Sequence, residues 1–513
     1  MNYFIPFFYI YTSNLFMKRL ILFLFLLILF KTSSAQLYLN ENCKQAYEYT
    51  MALRFEKAKT YINKEKQIHP DNVYLPYLES YIGFLKSFIS EDDRVFEENK
   101  EKMDLALEAL DKLNDDSPYK NYLKANVNLQ WAFARIKFGE YFTSAIEINR
   151  AYRLIDKNSK SFPEFYPNKI THAVLTIIIG IVPEKYDWIL DLVSLEGSVQ
   201  QGTAELYKFL DLAKTDSEYA YLKNECLFYL GFIEINVNPD KTKSQDILQQ
   251  IIPLSDSNML FNLLSINILT KSGRYVETEI QFKKLANKFD YYPIYFLDYL
   301  HADYYLKEME TDSAKKYYAQ FLKNFKGKNY IKDAWRKTAW TFLIEGNEQK
   351  YKQLMSAVGN SGNADIGIDK DANIEYEKGE IPNVALIKSR LLFDGFKYNM
   401  ALSELENIDN SKLNFDQLLE KDYRYARIMH KTNNIEGAKK HYKKVVLSSD
   451  LTSEYYPANS ALNLGEIYEL QDSLSMALLY YNKCTKMDFD QFENGIKTMA
   501  KEGIRRVNKA RKD

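Results

Sequence analysis

Along most of the chain, apolar side chains recur at three- and four-residue intervals with charged residues between them, the period of a helix with one buried face. In "SALNLGEIYELQDSLSMALLYYNKCTKMD", residues 460–488, the larger Leu464, Tyr468 and Tyr481 are interleaved with the small Gly465, Ala477 and Cys484. Two antiparallel helices approach closely only where small residues face each other, so this spacing predicts a helical hairpin. The scheme returns upstream with Ala426, Met429, Ala438, Tyr442 and Val445, and again with Ser389, Leu392, Ala401, Leu405 and Ile408. More distant copies place Ala302, Tyr305, Ala314, Tyr318 and Phe321; Leu269, Gly273, Phe282 and Leu285; and Trp131, Ala132, Gly139, Ser144, Ile148 and Ala151. At the front, Ala58 and Pro70 match a second-helix alanine and a closing proline. Only 18 Gly and 12 Pro in 513 residues leave few breakers, which also favours helices. The expected fold is all-α, a superhelix of stacked helical hairpins.

The positions Leu464-Gly465, Tyr468, Ala477, Tyr481 and Cys484 fit L-G-x-x-Y, A-x-x-x-F and a final small residue, so the stretch resembles a tetratricopeptide repeat and implies a TPR-like α-solenoid. Residues 163–212 break the pattern: an apolar run from Ala173 to Val182, stopped by Pro183, is too short to span a bilayer and reads as a non-repeat buried helical segment. The "GEYF" at Gly139–Phe142, the "GIVPEKY" at Gly180–Tyr186 and the "LEGSVQQG" ending at Gly202 resemble the tetratricopeptide repeat protein 39 family, also described as inclusion-body clearance proteins. That resemblance covers about residues 45–500 and implies a helical adaptor without a catalytic centre.

The N-terminus departs from that family. From Met17, read as the true start, "MKRLILFLFLLILFKTSSAQ" has a basic Lys18-Arg19, an apolar Leu20–Phe30 and small Ser33 and Ala35, the layout of a secretory signal with a mature end near Gln36. The expected organisation is a signal peptide over 1–35, a front helical-repeat block over 36–355, a linker or irregular segment over 356–381, and a C-terminal repeat block over 382–513. Export, most simply to the periplasm, with no integral membrane span after cleavage, follows from the same reading. Within the Gly- and Asn-rich segment, Asp369, Asp371, Asn373 and Glu380 occupy positions 1, 3, 5 and 12 of a calcium loop, but position 6 is Ile374 where the turn needs Gly, and no metal is assigned.

A net charge of -1 argues against coating nucleic acid or an anionic membrane, and three Cys without C-x-x-C form neither a disulfide framework nor a zinc site. The 41 Tyr suit half-buried repeat interfaces and grooves. No G-x-S-x-G, H-E-x-x-H or phosphate loop occurs, and His69, His172, His301, His430 and His441 sit where packing explains them, so no catalytic residue and no cofactor is expected. In a solenoid the first helix of each unit lines the inner face. That template directs Asn383, Arg390, Tyr423, Arg427, His430, Asn459, Glu466 and Glu469 inward, as a groove for a protein or peptide partner, with Tyr423 and Arg427 equally explained as packing between units. The Lys and Asn that clamp a C-terminal carboxylate in one group of such repeats are replaced here by Leu386 and Arg390, Tyr423 and Arg427, and Leu462 and Glu466. The expectation is an exported scaffold or adaptor, and its rival is a cell-envelope enzyme acting on peptide or glycan with its site in 163–212.

Overall fold

The computed structural model describes residues 36–181, 197–285 and 289–511; the expected signal segment and the Pro183–Tyr186 turn lie outside them. The front half holds α1 Glu41–Met51 with α2 Phe55–Ile68, α3 Tyr74–Ser90 with α4 Asp93–Asp111, α5 Pro118–Lys137 with α6 Tyr141–Ser161, α7 Asn168–Gly180 with α8 Val199–Thr215, α9 Lys223–Asn236 with α10 Lys241–Ile251, and α11 Met259–Lys271 with α12 Tyr275–Lys284. There follow α13 Phe296–Lys307 with α14 Thr311–Asn324, α15 Ile331–Ile344 with α16 Glu348–Asn360, a single α17 Gly367–Lys378, α18 Val384–Asp394 with α19 Tyr398–Glu406, α20 Phe415–Lys431 with α21 Ile435–Val446, α22 Tyr456–Leu470 with α23 Leu474–Lys486, and a closing α24 Glu493–Ala510. Each helix packs on its hairpin mate and on the next pair, which makes the molecule an all-α, helical-hairpin solenoid.

The small positions are where the helices of a pair meet. Ala58, Ala302, Ala314, Ala401, Ala426, Ala438 and Ala477 are fully buried. In two hairpins a small hydroxyl reaches the facing backbone: Ser144 donates to the Ala132 carbonyl at 3.0 Å, and Ser389 to the Ala401 carbonyl at 2.9 Å. The turns repeat as well. Leu53, Gly139, Gly273, Met309, Gly346, Phe396, Asn433 and Asp472 are all left-handed. The next N–H returns to the carbonyl five residues back, from Arg54 to Tyr49, Glu140 to Arg135, Arg274 to Leu269, Glu310 to Tyr305, Asn347 to Phe342, Lys397 to Leu392, Asn434 to Met429 and Ser473 to Tyr468. This helix-ending motif satisfies carbonyls the helix leaves open. Front and back hairpins therefore share one turn.

The apolar run from Ala173 is the buried helix read from the sequence: α7 is buried on nearly all sides and pairs with α8, with α5 and α6 beside it. Gly202 permits the approach; a Cβ there would lie 2.5 Å from the Ala173 carbonyl oxygen. The stretch 356–381 is largely helical, with α16 running to Asn360 and α17 packed on α15 and α16. Asp369 accepts from the N–H of Tyr330 at 2.6 Å and of Asp333 at 2.9 Å, so this carboxylate caps α15 and does not open a cation loop.

In the front half the inner face is filled by the chain itself. Glu225 on α9 accepts from Tyr47 on α1, from Tyr81 on α3 at 3.4 Å and from Tyr229 at 3.0 Å. Tyr74, Tyr77, Tyr122 and Tyr221 are buried in the same hydrophobic cluster. The first hairpin is also tied far along the chain, with Met259 N–H donating to the Ala52 carbonyl at 3.4 Å and Tyr292 N–H to the Leu53 carbonyl at 2.8 Å. Cys43, Cys226 and Cys484 are buried free thiols.

Candidate partner-binding groove

Between the halves, α15 carries a buried charged network. Asp333 accepts from Tyr299 at 2.5 Å and pairs with Arg336 and, at 3.0 Å, with Lys337, which also reaches Asp303 at 2.5 Å. Burial opposes ionisation of Asp333, but Lys337 and Arg336 hold its carboxyl below the usual range. This network anchors one wall of a cavity of about 290 Å³ between α15, α17, α18, α20 and the start of α22. Trp340 stands in that wall between two guanidiniums, Arg336 at 4.9 Å and Arg390 at 5.5 Å from its ring, and donates through its indole N–H to Glu375 at 2.7 Å. Arg424 on the other wall is taken by Glu420 at 2.8 Å, and Lys378 pairs with Glu454. Asp371 faces the cavity with its carboxyl pushed up to about 6 by burial, against the pull of Arg336 and Arg390.

A second cavity, of about 210 Å³, lies one repeat further on, between α20, α21, α22 and α24. Arg427 lies 4.1 Å from the Phe393 ring and 5.8 Å from Tyr423. Among the described residues, neither Arg390 nor Arg427 has a carboxylate within ion-pair distance. Tyr442, behind the wall of this cavity, is fully buried, and its hydroxyl has no hydrogen-bond partner. Asn463 donates to Asn459 Oδ1 at 2.7 Å, and both residues line the cavity. Burial, with Lys431 nearby, keeps His430 below the usual imidazole range. Burial pushes the Glu466 carboxyl up.

The eight residues that the repeat template sends inward divide by role. Arg390 reaches the first cavity; Arg427, His430, Asn459 and Glu466 reach the second. Asn383 borders the first, but its side-chain oxygen caps α18 by accepting from Ala385 N–H at 3.0 Å and Leu386 N–H at 3.2 Å. Tyr423 is 1% exposed and packs on Tyr456 at 5.2 Å, so it supplies a ring face to Arg427 from within the core. Glu469 lines neither cavity; it accepts from Tyr481 at 2.5 Å and from Arg506 at 2.9 Å, tying α22 to α23 and α24. Arg336 and Trp340 were not among them, since both come from a helix far upstream, whereas Tyr442 is the buried core residue its aromatic signal marks.

No family model and no curated protein matches the chain. Among solved structures it is similar to a human IFIT1 dimer with PPP-AAAA, at 14% identity over 93% of this chain and 97% of that one, with a TM-score of 0.32. It is also similar to the APC/C hetero-tetramer Cut9–Hcn1, at 12% identity over 90% and 95%, with a TM-score of 0.30. Likeness at this level carries no ligand across, and the solenoid is read from the packing itself. Among the described residues no helix is long and apolar enough to cross a membrane.

Proposed function

We propose that the protein is an exported, non-catalytic helical-repeat scaffold that binds a protein or peptide partner along the inner face of its back half. The observation that carries this is the pair of neighbouring cavities in which Arg390 and Arg427 lie over aromatic rings with no carboxylate of their own. A guanidinium held this way is pre-organised, because stacking fixes its plane while its N–H groups stay available. Such side chains are frequent anchors at interfaces. The front half offers no comparable surface at Glu225, where its own tyrosines occupy the inner face. The described part of 163–212 is a packed apolar wedge, which favours an adaptor over an enzyme with its site there. A peptide partner, in preference to nucleic acid, agrees with the net charge of -1 and with Asp371, Glu375 and Glu420 around the first cavity. The basic-apolar-small order of residues 17–35 supports export to the periplasm.

The test is affinity capture from cross-linked cells with tagged wild type and an Arg390→Gln, Arg427→Gln double variant. Both side chains are partly buried at the cavities, so the urea midpoint of the variant is measured first and the capture is read only if the fold is retained. The expected outcome is a specific set of proteins captured by wild type and depleted about tenfold or more by the variant. Equal capture by both would refute the groove.

A further inference from the structure

Resting on that reading, we infer that the cavity between α15, α17, α18, α20 and α22 receives a basic side chain of the bound partner, with the Asp371 carboxylate as its acceptor. Asp371 is the informative group. It is 5% exposed, yet among the described residues its carboxylate accepts no hydrogen bond and meets no cation within ion-pair distance. A carboxyl group buried without a partner is costly to a folded chain. Neither of its oxygens is sealed off, in contrast to the Tyr442 hydroxyl, and the residue lines the cavity. Glu375 beside it uses one oxygen on the Trp340 N–H and, at 3.1 Å, on the Tyr351 hydroxyl, while the other has only Arg336 at 3.8 Å. The acceptors here lack a donor, and a Lys or Arg side chain supplies several.

The surrounding pairs select a cation. Of the basic side chains that line this cavity, Arg336 is taken by Asp333, Lys378 by Glu454 and Arg424 by Glu420. Arg390 is left, and it lies over the Trp340 ring. On the acidic side Asp371 is joined by Glu380 and Asp416, both exposed, and among the described residues neither has a cation within ion-pair distance. Unpaired carboxylates therefore outnumber unpaired guanidiniums around the cavity, which draws in a cation and opposes an anion. The half-buried Ile381 and Pro382 line it as well, and give the methylene stem of a long basic side chain apolar surface to lie on. Lys and Arg share this chemistry.

The experiment screens purified protein against a library of short random peptides, made once with free N termini and once acetylated. The expected result is that bound peptides share a Lys or Arg at a fixed position and bind in both forms; a requirement for the free N terminus instead would overturn a side-chain ligand. Replacing that residue by its uncharged analogue, norleucine for Lys or citrulline for Arg, should weaken binding to wild type by about tenfold. Asp371→Asn should weaken the basic peptide similarly, and in that variant the uncharged analogue should cost much less than in wild type. The urea midpoint of Asp371→Asn should be unchanged or raised, because an unpaired buried charge is removed. A lowered midpoint would show that the fold itself uses the carboxylate and would overturn the assignment. Wild-type ligands with no required basic residue, or one whose effect persists undiminished in Asp371→Asn, would overturn the cation site and leave the groove standing. No bound peptide in either library would overturn both.

Discussion

His301 lies flat against Phe282, with ring centroids 4.0 Å apart and 3° between planes, and Tyr317 packs on it tilted by 32° at 3.9 Å. Its Nε2 has no partner, and burial pulls its pKa down to about 4, with Glu279 opposing the fall and Lys316 adding to it. The ordinary value is higher, so the unfolded chain takes up a proton before the folded one. Stability from this site is therefore full above about pH 6.5 and is lost as pH falls toward 4. Comparing urea unfolding of wild type and His301→Phe at pH 7 and pH 4, wild type should lose about 2 kcal/mol more than the variant. Equal losses would mean that the imidazole is protonated in the fold. Arg390 and Arg427 were readable as inward-facing from the template, but their partners were not. Trp340 and Phe393 come from other hairpins, and no spacing rule links them.

At the scale of elements, the ring of Tyr481 is gripped by two helices. A Cβ on Gly465 of α22 would come within 2.5 Å of it, and one on Gly503 of α24 within 2.5 Å on another edge. With its hydroxyl held by Glu469, the ring cannot retreat. Gly465→Ala should lower stability by about 1–3 kcal/mol in urea unfolding, whereas Gly495→Ala, where nothing lies near, should not. No difference between the two would show that the capping helix is loosely seated. The hairpins were legible because close approach permits few residues at the crossing, so Ala, Ser and Gly mark it. The turns were legible only in part: Gly139, Gly273 and Gly346 announce a left-handed residue, while Leu53, Met309 and Phe396 occupy the same place without that signal. The helix at Gly367–Lys378 was hidden by the glycines and asparagines around it, and tertiary contacts on α15 decide it.

Over the whole molecule, the two halves differ in how they use the inner face. The Tyr47–Glu225 bond spans 178 residues, and no local pattern predicts it. The halves are also joined by one apolar cluster, in which Ile387 and Leu391 of α18 pack with Ala302, Leu306 and Trp340. A fragment over 382–513 exposes that surface, and one over 295–513 keeps it. The longer fragment should unfold at a clearly higher urea concentration; equal midpoints would show that the C-terminal block folds independently.

The most direct test of the groove is a photo-crosslinking residue placed at Lys431, exposed at the rim of the second cavity, and in a separate variant at Leu447, 83% exposed outside both cavities. On irradiation in cells, Lys431 should give a discrete cross-linked protein band that Arg427→Gln diminishes, and Leu447 should not give it. The same band from both positions, or from Leu447 alone, would contradict a partner seated on the inner face of the back half.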